Sequence, residues 1–481
     1  MAVARWAAHL DLQGSPTCHY YVTVTVGSTP VNLVFDLGSA NTAVISDLCD
    51  GVNCSFVQKP YLPAPALADR RHWVNATYLG NIHMRASWAG YATTQLVSFG
   101  NKAQALARVD AIVQNSAFFV PRCPQNQGIL GLAYATLQTV PNPPMKESQK
   151  TVIDAIIQQH GAANMFSLQL CPKSAHDPRF RRLYHALQQT KSSPSLQSSL
   201  PSTTFSSCHR RGHFWLGGYS SSAVGSPIDW VPLVKSRYYE VQVDHFLVND
   251  RIVTGMSNIN SPRTIVDSGA KNIMLSPENL QLLLRALWES QIVQFDRRSV
   301  SEKYERAFWL DHAMLSVPMD HVTIVANTTV AVSLSGRNIK IPVENLLTIR
   351  PGKDNFVNIS WTGLTKSGHG SKQLASTILG NSLLRGKTVI FDRDTHRIGF
   401  ADAAFCCNES SAQDVNVFPP QYDVASDHRR EVMIMVILAV FGTVLSLAFI
   451  AKLLQHAKKS SLRCKSEQHT LQNGTNGLNK S

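Results

Sequence analysis

From Tyr20 the chain alternates as Tyr-Tyr-Val-Thr-Val-Thr-Val, breaks at Gly-Ser-Thr-Pro, and resumes as Val-Asn-Leu-Val-Phe up to Phe35. Apolar positions two apart give a strand one buried face, and a Gly- and Pro-containing break between two such runs closes a β-hairpin. Further β-rich stretches fall at 95–99, 166–170, 238–246, 322–334 and 388–400. Helical spacing is confined to 152–159 and 277–291. The pattern predicts a mainly β protein with a few short helices.

One arrangement occurs twice. Val34-Phe35-Asp36-Leu37-Gly38-Ser39 is followed by Gly128-Ile129-Leu130-Gly131, and Ile265-Val266-Asp267-Ser268-Gly269 by Thr377-Ile378-Leu379-Gly380. Each copy is an apolar strand ending in Asp-x-Gly, with an apolar-apolar-Gly strand roughly a hundred residues later. An internal repeat of this kind predicts two pseudo-symmetric lobes, each offering one aspartate to a cleft between them. A single Asp-x-Gly belongs to any ordinary turn; two in matching contexts point to chemistry. Carboxylates within hydrogen-bonding reach cannot both ionise cheaply, so Asp36 and Asp267 are expected to share a proton. One then serves as general base on water and the other as general acid toward a carbonyl oxygen. Neither a metal nor a cofactor is needed.

The chain ends differently from how it begins. Residues 432–451 are twenty uncharged positions rich in Val, Ile, Leu, Met and Phe, long enough to cross a bilayer as a helix. Lys452, Lys458, Lys459, Arg463 and Lys465 follow, which places the tail 452–481 in the cytosol and the bulk of the chain on the lumenal or extracellular side. Residues 406–431 read as a stalk. The net charge of +13 suggests nucleic acid until it is located: the tail holds +5 of it and the Ser-, Pro- and Arg-rich stretch 172–213 another +6. The remainder is nearly balanced, so a nucleic-acid-binding face is excluded, and 172–213 reads as an unstructured surface insertion.

Nine cysteines without CxxC spacing give neither a zinc site nor a cystine scaffold. Five Asn-x-Ser/Thr sites, at Asn53, Asn75, Asn327, Asn358 and Asn408, precede the apolar segment and fit an oxidising, secretory compartment. Residues 1–19 read as an extension; with Arg5 and His9 its start is unlike a secretory signal, so a signal and any pro-segment are expected upstream of Met1.

Residues 20–406, apart from the basic insertion, resemble the pepsin-like aspartic proteases, and in particular the membrane-anchored beta-secretase branch. The resemblance rests on Tyr-Tyr-Val-x-Val-x-Val-Gly-Ser-x-Pro from Tyr20, Gly-Ile-Leu-Gly-Leu-Ala-Tyr-Ala from Gly128 and Phe-Ser-Leu-Gln-Leu-Cys from Phe166. Thr-Ile-Val-Asp-Ser-Gly from Thr264 and Phe-Asp-Arg-x-x-x-Arg-Ile-Gly-Phe-Ala from Phe391 complete it. It implies a bilobal fold with lobes at 20–171 and 214–405, Asp36 and Asp267 as the catalytic pair, and peptide or membrane-protein substrates. It also implies supporting roles for Gly38, Ser39, Ser268 and Gly269, and a flap containing Trp88. Cys49 with Cys54, and Cys171 with Cys406 or Cys407, match bridges of the family. The two other bridges of the branch have no counterparts, and Cys18, Cys123 and Cys208 are left unassigned.

Three positions depart from the family pattern. Leu37 stands where a threonine hydroxyl supports the loops beneath the aspartates, which leaves the hydroxyl of Ser268 without its expected partner. Ala270 stands where a hydroxyl residue follows the second motif. His83 occupies the flap tyrosine position, with Tyr78 and Tyr91 near but not at that spacing. Two functions follow: an active membrane-anchored endopeptidase that sheds other membrane proteins, or a folded peptide-binding receptor without turnover.

Overall fold

The computed structural model describes residues 8–404 apart from 16–17, 50, 79–85, 101–102, 146–149, 173–177, 189–211, 326–327 and 368–375. The chain divides into two units, Met1–Pro419 and Pro420–Ser481, and all described residues belong to the first. The expected stalk, membrane span and tail lie outside them; among the described residues no helix is long and apolar enough to cross a membrane.

The fold is mainly β. Its first half runs through β1 (Ala8–Ser15), β2 (His19–Val26), β3 (Thr29–Asp36), β4 (Ala43–Ile45), β5 (Trp73–Tyr78), β6 (Ala86–Phe99), β7 (Ala103–Ser116), β8 (Gly128–Gly131) and β9 (Met165–Leu170) to β10 (Gly212–Leu216). β2 and β3 form the expected hairpin: Tyr20, Val22, Val24 and Val26 are buried and the residues between them are not. The turn is tighter than the sequence implies. Val26 pairs with Thr29, so only Gly27 and Ser28 turn, and Gly27 takes the positive φ of 61° that such a two-residue loop requires.

The sequence repeat is a repeat of topology. β3 runs parallel to β8, with Asp36 opposite Gly131; β4 lies antiparallel on the other side of β8 and parallel to β7. In the second half Thr264–Val266 runs parallel to Thr377–Leu379; Ile273–Leu275 lies antiparallel beyond it and parallel to Leu364–Lys366. In both places the chain leaves the first strand at an Asp-x-Gly turn and returns one strand further over. Both aspartates therefore stand where a buried strand ends.

An antiparallel sheet joins the halves, in the order Asp229–Pro232, Arg397–Asp402, Lys387–Asp392, β9, β10, β1. Phe166 stacks on Phe391 at 4.7 Å, and Phe214 reaches Phe35, the residue before Asp36, at 4.8 Å. The buried hydroxyl of Tyr239, beside the second repeat, donates to the carbonyl of Leu132, beside the first, at 2.7 Å. Close-packed aromatic layers of this kind move little, so the two Asp-x-Gly turns are held in fixed relation.

Two expectations are corrected. Residues 8–15, read as part of an extension, form β1, because Ala8 and Leu12 bury on the joining sheet. The stretch 172–213 is not unstructured throughout. Pro178–Gln188 is a helix whose Phe180, Tyr184 and Leu187, four and three positions apart, bury on one face against Val322–Ile324 and Leu347–Pro351. Its arginines drew attention to charge and hid that spacing. Residues 212–213 also belong to a strand, β10, rather than to an insertion.

Candidate active site

The two Asp-x-Gly turns meet face to face. Asp36 closes β3 and is 4% exposed; Asp267 follows Thr264–Val266 and is 9% exposed. Each turn folds back on its own carboxylate: the Gly38 N–H donates to Asp36 Oδ1 at 2.8 Å and the Gly269 N–H to Asp267 Oδ1 at 2.7 Å. The glycines serve a second purpose across the pair. A Cβ on Gly38 would lie 2.7 Å from Asp267 Oδ2, and one on Gly269 would lie 2.3 Å from Asp36 Oδ1. Only hydrogen fits between each turn and the opposite carboxylate.

The glycine of each turn lies against the opposite carboxylate, and the surroundings of the two carboxyls differ. Burial raises Asp36 above the usual carboxylate range, and bonds from the Ser39 hydroxyl (2.6 Å to Oδ2) and the Gly38 N–H oppose the rise. Burial and then the charge of Asp36 hold Asp267 well above that range. The difference follows from the sequences Asp-Leu-Gly-Ser and Asp-Ser-Gly-Ala: Ser39 donates to the first aspartate, whereas Ala270 offers the second only a methyl group. Burial and mutual charge disfavour ionising both carboxyls, and the asymmetry makes Asp36 the stronger acid of the two.

Beneath the turns the departures act unevenly. Ser268, expected to lack a partner, has two: its Oγ accepts from the Leu37 N–H at 3.3 Å and donates to the Phe35 carbonyl at 3.1 Å. Both partners are backbone groups, so the side chain at position 37 does not affect them. By the pseudo-twofold, a hydroxyl at position 37 would reach the corresponding groups of the second turn. Leu37 is fully buried and carries none, so half of the reciprocal bracket is present.

The expected flap falls on the antiparallel pair of β5 and β6. His83 lies outside the described residues. Trp88 is buried, and its Nε1–H donates to the Tyr78 hydroxyl at 3.3 Å. Burial, followed by the nearby Asp36 charge, raises the pKa of Tyr78. Trp88 thus fixes the Tyr78 hydroxyl close enough to Asp36 to feel its charge. Counting along the sequence missed Tyr78 because the contact is across strands. Ala76 pairs with Trp88, and Tyr78, two residues on, shares its face. Tyr91 instead packs edge-on against Trp73 at 5.2 Å.

Cys49–Cys54 is bonded as the resemblance implied. Cys18 and Cys123, left unassigned in the sequence, are joined over a separation of 105 residues. Cys171 is disulfide-bonded, but Cys406, Cys407 and Cys208 lie outside the described residues. Among the sequons, Asn53 and Asn75 are exposed and Asn358 is half-buried; Asn327 and Asn408 lie outside.

A β fold that repeats one strand arrangement and brings two buried aspartates together defines a pepsin-type aspartic endopeptidase. The chain belongs to the eukaryotic aspartyl protease family, which matches residues 19–180 and 179–403. It is 24% identical over 412 residues to a beta-secretase of Strongylocentrotus purpuratus, covering 81% of this chain and 67% of that one. It is 22% identical over 398 residues to pepsin-2B of Gadus morhua, covering 82% of this chain and 99% of that one. Disulfides in a protein of this family fit folding in the secretory pathway.

Proposed function

We propose that this protein is a membrane-anchored endopeptidase that sheds lumenal or extracellular parts of other membrane proteins, with Asp36 and Asp267 as its catalytic pair. The observation that carries the reading is the buried, face-to-face pair of aspartates, of which Asp36 alone accepts a serine hydroxyl bond. The apolar segment 432–451 supports the anchor, and the likeness to a beta-secretase supports the substrate class.

In the reaction, ionised Asp36 takes a proton from water as the water oxygen attacks the scissile carbonyl. Asp267 gives its proton to the carbonyl oxygen, leaving a neutral tetrahedral diol. Asp36 then passes the proton it gained to the leaving nitrogen while Asp267 recovers one from a diol hydroxyl, so the carbonyl reforms and the pair returns to its starting state. Gly38 and Gly269 allow the carboxyls to converge, and Ser39 keeps Asp36 the stronger acid. Rate should follow a bell in pH. Its acid limb lies above the ordinary carboxylate range, where Asp36 ionises, and its alkaline limb well above that, where Asp267 loses the shared proton.

Leu37 favours a second reading, a peptide-binding protein without turnover, since half of the bracket under the aspartates is missing. One experiment separates the two. Purified protein is offered a broad peptide library from about pH 3.5 to 7 beside Asp36→Asn, Leu37→Thr, Ala270→Thr and the Leu37→Thr/Ala270→Thr double variant. The endopeptidase reading expects slow cleavage, abolished by Asp36→Asn and raised about tenfold by each threonine, equivalent to about 1.4 kcal/mol of transition-state stabilisation. If the parent and the double variant stay folded and cleave nothing, the peptide-binding reading takes its place.

A further inference from the structure

We propose that His9, Asp11 and His213 form a binding site for one divalent transition-metal ion, Zn2+ by the character of its donors, that ties β1 to β10 away from the aspartate pair. Asp11 pairs directly with His213, and His9 with Trp215, across the two antiparallel strands. Directly opposed residues share a face of a sheet, as do residues two apart on one strand, so all four side chains project on the same side. Their donor atoms converge. His9 Nε2 lies 3.1 Å from His213 Nδ1, His213 Nδ1 lies 3.1 Å from Asp11 Oδ1, and the three ligand atoms all lie within 4.8 Å of one another.

That spacing suits a metal better than a hydrogen-bond ladder. His213 Nδ1 has either a proton to give or a lone pair to offer. It cannot accept from His9 while donating to Asp11, yet it stands at hydrogen-bond distance from both. A tetrahedral zinc ion, with bonds of about 2.0–2.1 Å, spaces its ligand atoms by about 3.3 Å. The two short edges seen here lie about 0.2 Å below that spacing, and the third, from His9 to Asp11, is within 4.8 Å and closes by movement of the exposed Asp11 side chain. With a metal between them, both imidazoles offer lone pairs and the carboxylate supplies charge.

Two neutral nitrogens and one carboxylate oxygen suit zinc rather than magnesium or calcium, which take all-oxygen shells. His213 is only 9% exposed, and the His9 ring lies stacked on Trp215 with 7° between planes, so two of the three ligands are held in place beforehand. Three protein ligands leave a fourth position for water. The sequence gives no sign of the site because its histidines stand 204 positions apart; only the register of β1 on β10 unites them.

The test uses the full-length chain in detergent, stripped with a chelator and dialysed. Zinc is titrated calorimetrically, retained metal is measured by mass spectrometry, and Co2+ is bound in parallel for its visible absorption. The proposal expects one zinc equivalent retained after dialysis and a four-coordinate cobalt spectrum. His9→Ala and His213→Ala should each weaken zinc binding at least about tenfold. Asp11→Asn, at an exposed position that does not endanger folding, should do the same and alter the cobalt bands. The proposal is overturned if the parent retains no metal. It is equally overturned if folded His9→Ala and Asp11→Asn bind zinc as tightly as the parent, which would assign the binding to scattered surface histidines.

Discussion

Asp267 shows how much a single neighbour decides. Its carboxyl and that of Asp36 are matched in turn geometry, yet Asp36 accepts from the Ser39 hydroxyl while the matching position after Asp267 is Ala270, which has none to give. The consequence reaches stability as well as chemistry. The folded pKa of Asp267 is raised well above its unfolded value of 3.8, so the folded state favours the protonated form. Its contribution is therefore complete below about pH 4 and is lost as pH rises through the folded value. Asp267→Asn should leave the melting temperature unchanged near pH 3 and raise it near pH 7, a difference that thermal melts at the two values will read. Tyr78 offers a second test. Its buried hydroxyl is held by Trp88 near the Asp36 charge, so Tyr78→Phe should lower kcat about tenfold, equivalent to about 1–1.5 kcal/mol, with little change in KM. A comparable rise in KM would show that Tyr78 holds the peptide instead. The aspartates, their glycines and Ser39 were legible in the sequence because they sit in one short string repeated. Tyr78 was not, because its role comes from strand pairing across a hairpin.

Among the elements, legibility followed periodicity. The hairpin of β2 and β3 and the helices Val152–His160 and Pro277–Glu289 carry clean two-residue or helical spacing and fall where it predicts, within two residues. β1 was overlooked because His-Leu-Asp-Leu is short and half polar; its partner lies beyond two hundred positions and supplies the burial. Pro178–Gln188 was hidden by composition, since arginines and a Ser-Pro tract outweighed three spaced apolar residues. The helix tests the corrected view. Phe180 is 1% exposed, so Phe180→Ala should destabilise the protein by about 3–5 kcal/mol in urea unfolding. An unchanged midpoint would mean that the helix adds nothing to the fold.

At the scale of the molecule, the anchor gives the sharpest check. If 432–451 crosses the bilayer with 452–481 in the cytosol, glycans will be mapped to exposed Asn53 and Asn75 and none to Asn473 or Asn479. A glycan on Asn473 would reverse the topology. The joining sheet carries a different kind of consequence, one about time. Its inner strand β9 is emitted early, but the neighbour that pairs with it from Met165 to Leu170 is Lys387–Asp392, more than two hundred residues later. During synthesis, that flank of β9 must wait, unpaired, while nearly the whole second half is made. Long-range pairing of this sort is slow, and an open strand edge invites association with other chains. A ribosome-stalled chain ending before Lys387 should thus remain sensitive to protease and bound to chaperones. One released after Asp402 should mature, because the last strands to emerge complete a sheet begun by the first.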